Sequence, residues 1–389
     1  MSNRYDLLIV GGGIMASSIA CNLLKDGYTG RIALFEQDRT YEFASTPRSE
    51  GGIRQMFTTE VNIRLSQYSM QVYKQFEQEM ALDGEDIRID LKQHGYLFLV
   101  DDTTLPPFLE KLDFQRSLGV DVQVLTQDEL KTMIPELNVA DVSAGIFSPE
   151  DGYMDPYSVL QAYIKKAKRM GAEYKYQKVA RIQSDGLRQI SGVVLESGEE
   201  YFAPIVINAS GAWSGEISKT VGIDIPVRPL RRQVYSIQTA VPFQKPLPFI
   251  FDRSGIHFRS EGPKINVGLA KDVPYGFEFH WEKDFFLEEI WPRLAARSAH
   301  FEKLKLERGW AGVYDYNYID HNAIIGGHPE LNGYYMVTGF SGHGFQQAPA
   351  AGKAMSELIR LGRYETIDLA ALSIERFARN ELVLETAVL

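Results

Sequence analysis

The most constraining stretch of this chain is its beginning, where Tyr5-Asp-Leu-Leu-Ile-Val-Gly-Gly-Gly-Ile-Met-Ala16 is followed by Ile32-Ala-Leu-Phe-Glu36. Leu7 to Val10 is an apolar run of the length of a buried parallel strand. Gly11 and Gly13 permit a tight turn and close backbone approach to a pyrophosphate, and small Ala16 lets the next helix pack on the sheet. That helix opens with Ile14 and Met15 and offers its N-terminal amides to phosphates. Ile32 to Phe35 reads as the second strand. Glu36 at its end is set to accept both ribose hydroxyls of an adenosine, with Gln37 beside it. An acid at this position disfavours a 2′-phosphate, which argues against NADP. The unit specifies an adenosine dinucleotide. It leaves FAD and NAD open, and says nothing of what is oxidised.

At 389 residues the chain is long for one core, so two domains are expected. The net charge of -10 argues against a nucleic-acid surface, which needs concentrated Lys and Arg. No apolar run reaches the roughly 18 residues of a membrane-spanning helix. The start lacks the basic flank, apolar stretch and cleavage site of a signal peptide. Cys21 is the only cysteine, which excludes an internal disulfide and a cysteine-based metal site. It shares the small-residue face of the first helix with Ala16 and Ala20 and is expected to pack rather than react. His321 and His328 lack metal-ligand spacing, and no metal is expected. A reducing cytoplasm is the expected location.

Along the chain, helices are expected over 60 to 82, 103 to 118, 157 to 170 and 347 to 361. A further helix starts at Thr126, with Glu129 three residues on as a capping-box partner. Strands are expected over 94 to 100, 179 to 182, 190 to 195, 203 to 211, 232 to 237, 256 to 259, 265 to 269 and 333 to 339. Strand–glycine turn–helix patterns occur at both ends and in the middle, with sheet-rich stretches between. This interleaving predicts a discontinuous cofactor domain.

Three stretches together resemble the D-amino acid oxidase-like flavoprotein superfamily, within it the sarcosine oxidase and dimethylglycine dehydrogenase branch. They are Val10-Gly-Gly-Gly-Ile-Met-Ala16, Val206-Ile-Asn-Ala-Ser-Gly-Ala-Trp-Ser214 and Gly339-Phe-Ser-Gly-His-Gly-Phe-Gln-Gln-Ala-Pro-Ala-Ala-Gly352. His94-Gly-Tyr-Leu-Phe, Asp151-Gly-Tyr-Met-Asp-Pro156 and Asp320-His-Asn-Ala-Ile-Ile-Gly326 follow in family order across the chain. The resemblance implies an α/β fold with a Rossmann-like FAD-binding domain of the glutathione reductase type and an antiparallel-sheet-rich substrate domain. Residues 1–84, 144–220 and 306–389 are expected in the former, 85–143 and 221–305 in the latter. Reduced flavin is an anion, and the turn Gly342-His343-Gly344-Phe345-Gln346 opens a helix whose free amides form a positive end able to stabilise it. The resemblance further implies cofactor contacts from Ala209, Gly211 and Trp213, from Val179 beside adenine, and from Ser45 and Thr46.

For the substrate, the resemblance implies oxidation of a carbon–nitrogen bond to an imine. Arg54, in Ile53-Arg54, matches the family's arginine that holds a carboxylate; a guanidinium offers a bidentate fork that Lys cannot. Arg48 is a second candidate in that loop. His257 is placed to orient the amine, Tyr314 and Asp315 to line the cavity, and Gln346 stands where several sarcosine oxidases carry a carboxylate-binding Lys. Tyr314 follows Trp310-Ala-Gly-Val313, where the glycine oxidase branch has an arginine. Val313 falls where monomeric sarcosine oxidase attaches FAD to a cysteine, so FAD is expected to be noncovalent. That enzyme's oxygen-activating lysine falls at Asn266, flanked by Lys264 and Lys271. Strand alternation puts Lys264 on the face of Asn266 and Lys271 on the other. The expectation is an FAD-dependent oxidase of a secondary amine or N-substituted amino acid, with oxygen giving peroxide. One alternative is a dehydrogenase subunit for proline, sarcosine or an opine, with a second subunit or other electron acceptor as partner. The other is a flavin-stabilised assembly or binding protein with little turnover.

Overall fold

The computed structural model describes residues 3–386 apart from 83 and 187. Leu7–Val10 lies inside a six-stranded sheet, as four consecutive apolar residues require if both faces are to be covered. Across this sheet the order is Ile324–His328, Leu331–Thr338, Val206–Asn208, Leu7–Val10, Ile32–Phe35 and Glu173–Lys175. All neighbours are parallel except the antiparallel first pair. Alternate residues of the central strand face two different cores. Leu7 and Ile9 pack with the helices Ile14–Lys25, Glu60–Met80, Pro156–Arg169 and Gly344–Leu361. Leu8 and Val10 pack with a three-stranded antiparallel sheet, Val179–Ser184, Ile190–Leu195 and Glu200–Phe202.

The first and last of these helices meet at contact distance. A Cβ on Gly352 would lie 2.2 Å from Ser18 Oγ and 2.8 Å from the Ser18 carbonyl carbon, and Ser18 Oγ donates to the Ala348 carbonyl at 2.8 Å. Gly344–Leu361 starts three residues earlier than the 347 expected from sequence. Pro349 sits inside it, lacking the N–H that would reach back to Phe345. Tyr73 replaces that donor, its buried hydroxyl bonding the Phe345 carbonyl at 2.7 Å. A tertiary contact thus carries the helix through a residue that reads as its first turn.

The second large sheet has eight strands, in the order Leu304–Asn317, Val227–Thr239, Lys264–Leu269, Ile256–Glu261, Phe249–Phe251, Tyr96–Val100, Ala144–Ser148 and Gln123–Leu125. Only Phe249–Phe251 and Tyr96–Val100 run parallel. The boundaries expected at 143/144 and 305/306 would cut this sheet, because Ala144–Ser148 pairs with Tyr96–Val100 and Leu304–Asn317 pairs with Val227–Thr239 along its length. The Thr126–Glu129 capping box forms as its spacing predicts. The helix expected over 103 to 118 is Leu105–Ser117, with Pro106 and Pro107 in its first turn, where no N–H is needed.

The residues after Asn380 run back across the cofactor-side unit. The fully buried Glu385 carboxylate accepts from the backbone and hydroxyl groups of Thr58 and Thr59 and from Asn62 Nδ2, at 2.6–3.2 Å. It caps the helix Glu60–Met80, for which Thr59 supplies no side-chain cap. Among the described residues, no helix is long and apolar enough to cross a membrane.

Candidate active site

One cavity of about 950 Å³ runs between the two large sheets, and the proposed cofactor and substrate residues all line it. Its volume is at the upper end of the roughly 300–1,000 Å³ typical of ligand sites. At one end, Gly11 has φ +104°, and a Cβ there would lie 2.5 Å from the Ala209 carbonyl oxygen of the neighbouring strand's end. Gly13 is different: a Cβ there would meet no protein atom within 4 Å. The two glycines serve different needs, close strand packing and an open cradle. Glu36 closes this end. Its buried carboxylate accepts from Gly12 N at 3.0 Å and Asp38 N at 2.9 Å; burial raises its pKa, and these amides oppose the rise. Val179 lies on the same rim beside the Lys178–Glu196 ion pair.

Midway, Ser45 Oγ donates to the Val313 carbonyl at 2.6 Å, next to the buried Thr46. Gly211 has φ +55°, and Trp213 stacks on Phe277 with centroids 4.8 Å apart. At the other end, the Asp315 carboxylate fixes the turn before the last long helix, accepting from Gly339 N at 2.7 Å and Phe340 N at 3.1 Å. Gly342, at φ +94°, leaves room for the Tyr314 ring, which a Cβ would approach to 2.7 Å. His343 meets Phe57 edge-on at 4.8 Å, and the amides of the first helical turn, Gly344 to Gln346, open on the cavity.

Burial holds the Asp315 carboxyl up at about 6, against an ordinary unfolded value of about 3.9. The neutral form is therefore favoured by the fold. Its contribution to stability is complete below the unfolded pKa and is lost as pH rises through the folded one. Asp315→Asn keeps an acceptor for Gly339 and cannot ionise. Its melting temperature relative to wild type is expected to rise between pH 4 and pH 7; a constant offset would show that Asp315 does not titrate there.

The substrate end is lined by Arg54, His257, Tyr314 and Gln346, the four residues singled out by sequence, and by Glu50, Tyr96, Arg232, Phe249 and Phe251, which were not. Arg54 is 5% exposed, donates to the Met56 carbonyl at 2.6 Å and lies 4.1 Å over the Phe57 ring. Desolvation by burial lowers its pKa. Gln346 has a supporting bond: its Oε1 accepts from Arg54 N at 2.8 Å. His257 Nε2 is 2.7 Å from Glu50 Oε2, in space that a Cβ on Gly268 would fill. Its ring adjoins Phe249 and Phe251; Phe251 stacks on Tyr96, and Phe249 meets the Tyr96 ring at a tilt. Arg232 lies 5.7 Å over the Tyr314 ring.

Arg48 is committed elsewhere: its guanidinium donates to the Glu42 and Ala311 carbonyls and sits between Phe43 and Phe279 at the cavity wall. Lys264 and Lys271 pair with Glu307 and Glu282 and do not line the cavity, while Asn266 is buried. Phe249 and Phe251 had a sequence signal, alternation in an apolar run. Glu50, a single acid before Gly51-Gly52, had none. No cluster of three or more His, Cys, Asp or Glu fit for a metal occurs among the described residues.

An open glycine cradle, an acid at one end and free helix amides at the other fit a flavin dinucleotide, and with the fold they define a flavin-dependent oxidoreductase. The comparisons narrow the class. The model of the family described as "DAO: FAD dependent oxidoreductase" matches residues 6–358, and the chain belongs to that family; FAD is its cofactor. The chain is similar to "FAD-dependent oxidoreductase domain-containing protein 1" of Xenopus laevis, 35% identical with 98% of this chain and 84% of that protein covered. It is 24% identical to the mitochondrial sarcosine dehydrogenase of Homo sapiens, covering 97% of this chain and 42% of that one. Among solved structures, the L-proline dehydrogenase from P. horikoshii superposes with a TM-score of 0.89 at 30% identity, covering 98% of this chain and 100% of that one.

Proposed function

We propose that the protein oxidises the carbon–nitrogen bond of a secondary amine or N-substituted amino acid, sarcosine- or proline-like, to an imine, with noncovalent FAD. The observation that carries this reading is the charge-separated substrate end. Arg54 and Arg232 supply positive charge, Glu50 with His257 supplies an acceptor, and Tyr96, Phe249, Phe251 and Tyr314 provide apolar walls. A zwitterionic amino acid is complementary to that arrangement: carboxylate to arginine, nitrogen to the acceptor, carbon chain to the rings. Bound FAD supplies the two-electron acceptor. The protein's part is to hold the reacting carbon in register and exclude water from it. The names of the similar proteins, a sarcosine dehydrogenase and an L-proline dehydrogenase, support the substrate class. Noncovalent binding is supported by Cys21, fully buried in the first helix with its thiol pushed up to about 11 by desolvation.

Oxygen as acceptor would yield hydrogen peroxide. A dehydrogenase passing electrons to another acceptor is the second reading, favoured by one observation. Among the described lining residues the only lysine is Lys178, at the adenosine end, so no ammonium group faces the substrate region. Anaerobic addition of sarcosine, L-proline and other amino acids should bleach the flavin with at least one of them. Air then separates the readings, since peroxide matching substrate consumed marks an oxidase, and dye reduction without peroxide a dehydrogenase. Absence of bleaching across the panel would remove the amino-acid reading in favour of a flavin-stabilised binding protein.

A further inference from the structure

Glu50 is the residue at the substrate end whose bonding is incomplete. Its Oε2 meets His257 Nε2 at 2.7 Å, whereas its Oε1 is buried and has no hydrogen-bond donor among the described residues. Leaving a carboxylate oxygen without a donor is costly, so a site that keeps one is complementary to a ligand that brings the donor. Glu50 lines the cavity, and its charge reaches the hydroxyls of both Tyr96 and Tyr314, the two tyrosines that also feel Arg54. Glu50 and Arg54 flank the two-residue strand Gly52–Ile53, which pairs with Gly152–Tyr153. A negative and a positive group are thus carried on one braced segment, four positions apart in sequence.

We propose that Glu50 is the acceptor for the substrate's nitrogen: its carboxylate, incompletely bonded within the protein, binds the protonated amine and removes its proton. This rests on the amino-acid reading above. The step balances without any redox change. The N–H bond of the ammonium breaks, its electron pair stays on nitrogen, and the proton forms an O–H bond on Glu50. The amine becomes neutral at the site, as loss of hydride equivalents from its carbon requires. The titratable and charged groups that line the cavity with Glu50 include His257 from Ile256–Glu261, Tyr96 from Tyr96–Val100, Tyr314 from Leu304–Asn317, Arg232 from Val227–Thr239, and Arg48 and Arg54 near it in sequence. His257 orients the carboxylate through Oε2, and Oε1 has no protein donor among the described residues. The substrate class follows: amino acids in their ordinary ammonium form carrying at least one N–H, with quaternary amines excluded.

The test uses the FAD-loaded enzyme as wild type, Glu50→Gln and Glu50→Asp. The probes are L-proline and sarcosine, and their oxygen isosteres tetrahydrofuran-2-carboxylate and methoxyacetate, which have no N–H. Binding is read from flavin spectral perturbation and calorimetry, and reduction from anaerobic stopped flow. Glu50→Gln should weaken the amino acids at least tenfold while leaving the isosteres within twofold. Its reduction efficiency should climb tenfold per pH unit towards the free amine's pKa, and Glu50→Asp should restore part of both. Equal losses for amino acids and isosteres, or a wild-type pH profile in Glu50→Gln, would overturn the assignment and leave the amino-acid reading standing. Failure of every amino acid to reduce the wild-type flavin would sink that reading, and this assignment with it.

Discussion

Gly13→Val is expected to give a folded, colourless protein. A side chain at Gly13 meets no protein atom within 4 Å, so its branches project into the cradle between the first strand and its helix. The apoprotein should melt within a few degrees of wild-type apoprotein. The pyrophosphate, however, needs that backbone surface bare, because its oxygens are bound by amides rather than by side chains. FAD affinity should fall by at least 100-fold, read by flavin fluorescence on titration. The neighbouring substitution Gly11→Val is expected to fail differently. It forces a β-branched residue to φ +104° and drives its Cβ to 2.5 Å from the Ala209 carbonyl, between two buried strands. Strain and overpacking together reach roughly 3 kcal/mol or more, enough to deplete soluble protein. A Gly13→Val protein that purifies yellow with full flavin content would remove this turn from the cofactor site.

The second large effect concerns Arg54. Arg54→Ala removes a buried guanidinium that the proposed carboxylate would engage, and the loss of one partner of such a pair costs about 3–5 kcal/mol, or 100-fold or more in affinity. Arg54→Lys should recover little, since an ammonium cannot supply two parallel N–H bonds. The predicted signature is a large rise in substrate Kd with FAD retained, measured by anaerobic flavin bleaching alongside flavin stoichiometry. The bond that Arg54 N donates to Gln346 Oε1 makes Gln346→Ala a milder version of the same defect, because its loss loosens the backbone that carries the guanidinium. Unchanged substrate affinity in Arg54→Ala would move the anchor elsewhere, with Arg232 the next candidate.

The cofactor end was legible because its chemistry lies in contiguous residues. Leu7 to Val10, the Gly11–Gly13 turn and Glu36 are read within one strand–helix–strand unit, and each demand there is local. The turn at 339 to 346 was legible for the same reason, but the start of its helix was not, since Pro349 is tolerated only through the Tyr73 hydroxyl far away in the chain. The strands at Ala144–Ser148 and Leu304–Asn317 were not read from sequence, and neither was their sheet membership. That membership depends on pairing with Tyr96–Val100 and Val227–Thr239, which no local pattern announces. At the substrate end, Arg54, Tyr314 and Gln346 were read from motifs and His257 from its strand, whereas Glu50, Arg232 and the aromatic wall were not. Glu50 gains meaning from His257, 207 positions later, and Phe249 from the Tyr96 ring.

The cavity draws its adenosine end from Gly11 to Glu36 and its other end from Gly342 to Gln346, while Glu385 clasps the segment beyond Arg54. A ribosome releases these parts in that order, with some 300 residues between the two ends of the cavity. The nascent chain can form the first strand and helix early, but it has no complete berth for a flavin until the last long helix has emerged and docked against Ser18. A complete site for FAD therefore needs both the Gly11–Glu36 segment and the helix Gly344–Leu361 in place. Until that helix docks, the small-residue face of Ile14–Lys25 has no partner at Ser18.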